Sequence, residues 1–209
     1  MTKNRLLVVV SAPSGAGKTS LCKGAVASVG QLVHSVSYAT RPPRPDEKNG
    51  RDYFFISEQE FAKKIEAGEF AEWARVHGHS YGTSRLQLEK HFQEGKDVIL
   101  DIDVQGAAQL REKYPTGIFI FVLPPNMEKL ELRLRLRKTD SEEEIERRLR
   151  KAMSEIREYS KYQYLIINDE LEVAITALRS IVITERCKVF RADLELLKDL
   201  SEEDWRKSR

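Results

Sequence analysis

The sequence predicts an α/β fold, a parallel sheet flanked on both faces by helices, and three observations predict it. Residues 6–10, 98–100, 118–123 and 165–167 are short apolar runs with no polar alternation, the pattern of strands buried on both faces. Between them lie helical patterns with recognisable starts and stops. Joining the first strand to the first helix is a loop rich in glycine and serine that ends in Gly-Lys-Thr.

Taken in order, the strand at 6–10 leads into Ser11, Ala12, Pro13, Ser14, Gly15, Ala16, Gly17, Lys18 and Thr19, and a helix follows with Leu21, Cys22, Ala25 and Val26 at helical spacing. Residues 34–56 break this rhythm. They carry Arg41-Pro42-Pro43-Arg44-Pro45, a polar turn-rich loop, and then Tyr53-Phe54-Phe55-Ile56, a small excursion with its own strands. Ser57 with Glu60, and Ser141 with Glu144, have the spacing of a capping box at a helix start. Gly68 and Gly95 stand where left-handed helix stops are expected. The run 98–100 ends in Asp101 and Asp103. A charge-dense stretch, 127–162, places Leu130, Leu134, Ile145, Leu149, Met153 and Ile156 at helical spacing, with a break at Lys138-Thr139-Asp140. In the tail, Phe190, Leu194, Leu197 and Leu200 form one apolar stripe, which packs on the chain's own body or on a second subunit.

Composition excludes several classes. The 209 residues, 41% of them hydrophobic, suffice for one domain with modest insertions. Lys and Arg number 35 against 33 Asp and Glu, a net charge of +2, which argues against a nucleic-acid or membrane-surface protein. The apolar runs fall far short of the roughly 20 residues that span a bilayer. The first residues show no signal-peptide pattern, and two cysteines make no disulfide framework, so a cytoplasmic protein is expected.

The loop carries the chemistry. Its glycines let backbone amides point inward around an anion, the helix start adds partial positive charge, Lys18 reaches the β- and γ-phosphates, and the Thr19 hydroxyl suits Mg²⁺. A first-turn cation opposes the helix dipole, so a structural role explains Lys18 poorly. The strict pattern begins with glycine where this chain has Ala12. Carboxylates at the carboxyl end of a buried strand are the usual partners of such a loop: Asp101 is assigned to the metal and Asp103 to an acceptor.

With these motifs on view, the chain resembles the bacterial guanylate kinases over residues 6–186. The match rests on the loop, on Ser37-Tyr38-Ala39-Thr40-Arg41-Pro42-Pro43-Arg44, Asn49-Gly50-Arg51-Asp52-Tyr53 and Glu69-Phe70-Ala71-Glu72-Trp73. It continues through Tyr81-Gly82-Thr83, residues 99–106, Arg137 with Thr139, and Ile167-Asn168-Asp169. The resemblance implies Mg²⁺-dependent transfer from ATP to GMP, with dGMP as a further acceptor. It implies a parallel-sheet P-loop kinase core (1–33, 86–126, 164–187), a small mixed α/β GMP-binding insertion (34–85), a helical lid (127–163) and a helical tail (188–209) able to support a homo-oligomer.

By the same resemblance, ATP meets residues 12–19 and Asn168, the latter at adenine. GMP meets Ser37, Arg41, Arg44, Tyr53, Glu72, Tyr81, Thr83 and Asp103. The chemistry fits: two guanidinium forks suit a phosphate, and a carboxylate at Glu72 suits the N1–H and N2–H₂ donors of guanine. Arg137 and Arg148 are expected, with Lys18, at the transferring phosphate, and the lid's other charges form a solvated face. Leu136 and Lys138 stand where the family has glycines. Two rivals stay open, a kinase for another phosphorylated small molecule and a non-catalytic module that binds phosphorylated peptides.

Overall fold

The computed structural model describes residues 5–76, 78–136 and 141–191. It contains two sheets. The larger has five parallel strands in the order β2-β7-β1-β8-β9: β1 is Leu7–Ser11, β2 Leu32–His34, β7 Asp97–Asp101, β8 Ile118–Leu123 and β9 Tyr164–Ile167. The reason β1 reads as an unbroken apolar run is visible in its packing. Val8 and Val10 enter one core with Ile118, Ile120 and Val122 under helices α1 (Lys18–Ser28) and α7 (Leu171–Arg186). Leu7 and Val9 enter the opposite core with Val98, Leu100 and Phe119, beneath α3 (Arg85–Gln93) and α4 (Val104–Lys113). Period-two alternation persists, but both faces are dry.

One strand departs from that reading. Ile166 is buried, yet Leu165 and Ile167 are each 49% exposed. β9 lies at the sheet's edge, where α7 covers one face only, so a run of aliphatics does not there mean burial on two sides.

The smaller sheet, β4-β3-β6-β5, lies between residues 38 and 84. It comprises β3 (Tyr38–Ala39), β4 (Phe54–Phe55), β5 (Phe70–Val76) and β6 (His79–Ser84), with β5 and β6 antiparallel. Helix α2 (Glu58–Glu66) lies between β4 and β5 behind a complete Ser57/Glu60 capping box, and Gly68 takes a φ of +63° to end that helix's turn.

A third, small core joins α5 (Met127–Arg135) to α6 (Glu142–Ile156) through Leu130, Leu134, Ile145 and Ala152. Two expectations are corrected here. Met153 is 55% exposed and the neighbouring Ala152 takes the inward place. Ser141 caps the Glu144 amide at 3.3 Å, but the reciprocal half of the box is absent because the Glu144 carboxylate is held by Arg147 and Arg148. The break residues 138–140 and the tail stripe at Leu194, Leu197 and Leu200 lie outside the described residues.

Candidate functional site

All five core strands run the same way, so their carboxyl ends open on one crevice, and there β1, β7 and the Gly-rich loop meet. Gly15 and Gly17 hold φ of +93° and +87°, which an L side chain rarely adopts. Space dictates the same residues. A Cβ on Gly17 would lie 2.5 Å from the Asn168 side-chain nitrogen, and one on Gly15 would press on Leu134 of α5 at 3.0 Å. No side chain caps α1 and no acid lies in its first turn, so the start of the helix offers its amides to an anion. Ala12 is 8% exposed at the end of β1 in place of the pattern's glycine.

Two pockets adjoin this loop. Residues 12–15 and 17–19 line the first, together with Asp103 and Glu155. Ser37, Arg41, Arg44, Tyr53, Glu72, Tyr81, Asp101 and Asp103 line the second. Lys18 and Asp103 border both. The Lys18 ammonium donates to the Ile102 carbonyl at 2.7 Å, which holds it at the junction.

Asp101 ends β7 and is held at both oxygens. Thr19 Oγ1 donates to Oδ2 at 2.7 Å, and His34 Nε2 lies 2.8 Å from Oδ1. Burial alone would raise this carboxyl, but His34, Lys18 and Thr19 outweigh it and hold the pKa at about 2. Asp103 caps α4 by accepting the Gly106 amide at 2.9 Å and also accepts from Gln105.

Within the second pocket the side chains are paired with each other. Arg41 grips Glu47 with both terminal nitrogens, at 2.6 and 2.7 Å, and stands over the Tyr53 and Phe55 rings. Glu47 also accepts the Arg44 amide at 2.9 Å, leaving the Arg44 side chain 59% exposed. The hydrogen bonds from Arg41 hold the Glu47 carboxyl below its usual range. Tyr53 and Tyr81 meet edge to face, and burial raises the Tyr53 phenol.

Glu72 and Thr83 are cross-strand partners in β5 and β6, and the Thr83 hydroxyl donates to the Glu72 carboxylate at 2.5 Å. Glu72 is 3% exposed, and burial lifts its pKa to about 7. Position 106 leaves it room: a Cβ there would lie 2.2 Å from Glu72 Oε2. Gln109 further ties α4 to β5 by bonding both the amide and the carbonyl of Trp73.

On the other side of the loop, Asn168 is 4% exposed and donates to the Ala16 carbonyl at 2.7 Å, so its side chain supports the loop from behind. Arg148 bonds Glu144 at 3.1 Å on α6, and Arg137 lies outside the described residues.

Sequence reasoning missed His34, Glu47, Gly106 and Glu155. Glu155 is 7% exposed and paired with Lys151 at 3.4 Å, and burial raises its carboxyl. A lone histidine at a strand end, an acid in a charged loop and a glycine in a helix carry no local signal. Only the Glu155 spacing, an acid on the inward stripe of an amphipathic helix, could have been noticed.

Comparison with known proteins gives a consistent result. A family model described as guanylate kinase matches residues 4–185. A guanylate kinase of Geobacter sulfurreducens is 51% identical over 191 residues, 91% of this chain and 94% of that protein. The guanylate kinase of Geobacter metallireducens gives the same identity and coverage. A crystal structure of guanylate kinase from Anaplasma phagocytophilum superposes with a TM-score of 0.76 at 32% identity and covers 97% of both chains.

Proposed function

The chain belongs to the guanylate kinase family, and from that premise we propose how its own residues carry a phosphoryl group from ATP to GMP. It is an ATP:GMP phosphotransferase, a nucleoside monophosphate kinase. The observation that most supports the residue assignment is the shared border: Lys18 and Asp103 line the loop pocket and the paired-residue pocket alike, so two phosphates held there face each other. Transfer of this kind needs in-line positioning and positive charge rather than covalent help from the protein.

The loop amides from 12 to 19 cradle the ATP phosphates, and Lys18 leaves the Ile102 carbonyl for the transferring group. Asn168 keeps the loop in shape beneath it. Arg41 and Arg44, with Ser37, Tyr53 and Tyr81, take the GMP phosphate. Glu72 accepts from the guanine N1–H and N2–H₂ groups, and Thr83 holds that carboxylate in place. Adenine, without the N1–H donor, would leave a buried carboxylate underpaired, and discrimination of order 10⁴ is reachable that way. Arg148 and Arg137 close on the phosphates from the 127–163 segment and exclude water.

Thr19 Oγ1 and Asp101 Oδ2 are hard oxygen donors beside the loop, a pair that fits Mg²⁺. Bound with ATP, the ion offsets charge on the phosphate oxygens during transfer. No helix among the described residues is long and apolar enough to cross a membrane. A cytoplasmic location, acceptance of dGMP and a homo-oligomer through the 188–209 tail belong to the same reading.

An ADP-release assay across GMP, dGMP, AMP and CMP tests it. Strong turnover with GMP and dGMP and little with the others is expected. Equal rates for GMP and AMP would sink the guanine assignment. No ADP with GMP and Mg²⁺ would favour a binding module.

A further inference from the structure

We propose that His34 is a positioning residue for the cation site: its ring N–H fixes one oxygen of Asp101 so that the other stays beside Thr19. The proposal rests on the reading of Thr19 and Asp101 as the residues that hold the ion.

The geometry is set by the sheet. His34 is the last residue of the edge strand β2 and lies in register with Ile99, two residues before Asp101, in the neighbouring strand β7. The ring therefore reaches the carboxylate just beyond, and Nε2 lies 2.8 Å from Oδ1. An ionised carboxylate only accepts, so Nε2 carries the hydrogen and donates. The two oxygens of Asp101 are thereby divided, Oδ1 to His34 and Oδ2 to Thr19.

That division matters because of what stands nearby. Lys18 is hydrogen-bonded to the Ile102 carbonyl, one residue from Asp101. Without the His34 anchor, the carboxylate gains a torsional freedom whose most attractive destination is that ammonium. A pairing of Lys18 with Asp101 would withdraw both groups together, the cation from the phosphate and the carboxylate from the ion. His34 keeps the two apart in function while they remain neighbours in space. The ring is held at 21% side-chain exposure, in a groove whose other groups include Lys23, Arg44, Glu47, Asp52 and Tyr53. Lys23 pairs with Asp52 and Glu47 with Arg41, so these charges are engaged with each other while the ring engages Asp101. Hydrogen-bond partners of this indirect kind typically govern 10–100-fold in metal affinity.

The test measures Mn²⁺ binding to the protein with ADP, from the free-ion electron paramagnetic resonance signal at one fixed pH, alongside kcat and KM. His34→Phe keeps a ring and removes the donor. It should weaken Mn²⁺ about 10–100-fold and raise the Mg²⁺ concentration for half-maximal kcat by a similar factor, with KM for GMP within about twofold. His34→Gln, whose amide N–H can reach Asp101, should recover most of both. Should the Phe variant fail to fold, His34→Asn is too short for the contact and should show the same loss. Unchanged Mn²⁺ affinity in His34→Phe or His34→Asn, beside a clear loss in Asp101→Asn, overturns the positioning role and spares the metal reading. So does a His34→Gln variant as defective as His34→Phe. Unchanged affinity in Asp101→Asn overturns the metal reading, and this inference with it.

Discussion

The loop side of the crevice and the paired-residue side are built by different means. Around residues 12–19 the groups proposed to meet a ligand are main-chain amides, and what matters is a backbone path: two glycines at positive φ, an uncapped helix start and a supporting amide at Asn168. Around Glu72 and Arg41 they are side chains already paired with one another, Arg41 with Glu47 and Glu72 with Thr83. A backbone cradle binds any polyphosphate of the right shape, whereas paired side chains discriminate, because the wrong partner leaves a buried charge unmatched. On the proposed reading, the general half of the reaction falls to the loop and the selective half to the insertion strands.

Four tests press on that contrast. Lys18→Ala should cut kcat by roughly 10²–10³-fold with GMP affinity nearly intact, since it removes charge meant for the transferring group. Steady-state kinetics with calorimetric GMP binding would check it, and a parallel loss of GMP affinity would make the two sides one unit. Gly106→Ala comes next. The new methyl would occupy the place of Glu72 Oε2, and an ångström-scale displacement of a reading group can cost on the order of 10²-fold in kcat/KM for GMP. Little change with ATP in the same assay would keep the damage on the selective side.

The third is a pH dependence. Guanine needs the ionised carboxylate, and burial holds Glu72 at about 7 before GMP arrives. Protonation below that value removes the acceptor, so kcat/KM for GMP should fall about tenfold per unit below about 7 and level off above it. The GMP phosphate also titrates, at about 6, so Glu72→Gln serves as the reference that keeps only that second limb. A profile unchanged by the substitution would remove Glu72 from control. The smallest effect is expected of Glu47→Gln. It keeps one acceptor for Arg41 but loses the charge, raising KM for GMP by about 5–10-fold with kcat unaltered.

The same contrast explains what could be read in advance. Residues 12–19 declare themselves because the needed backbone path and anion chemistry are written in consecutive residues after a buried strand. The proposed acceptor residues were marked out by resemblance alone. Glu72 between Ala71 and Trp73 looks like any surface carboxylate, and only the cross-strand register with Thr83 and the space over Gly106 make it a buried one. His34 was not legible, since it acts on Asp101 from another strand, and Glu47, although it holds Arg41 and Arg44 within its own loop, looks like any loop carboxylate; Glu155 left only the faint signal of an acid on the inward stripe of α6. β9 shows the reverse failure. Its aliphatics promised burial on two faces, and the sheet's edge denied it.

By itself, the sequence determined the α/β class, four of the five core strands, the helix ends at Ser57, Gly68 and Gly95, and the Gly-rich loop, because each follows from periodicity or local backbone preference over a few residues, while β2 went unread. The tertiary structure alone decided which carboxylates are buried, which arginine is gripped and which histidine holds Asp101. Those properties depend on desolvation, on the path of the 41–47 loop and on contacts between strands brought side by side from far along the chain, none of which a periodic pattern encodes.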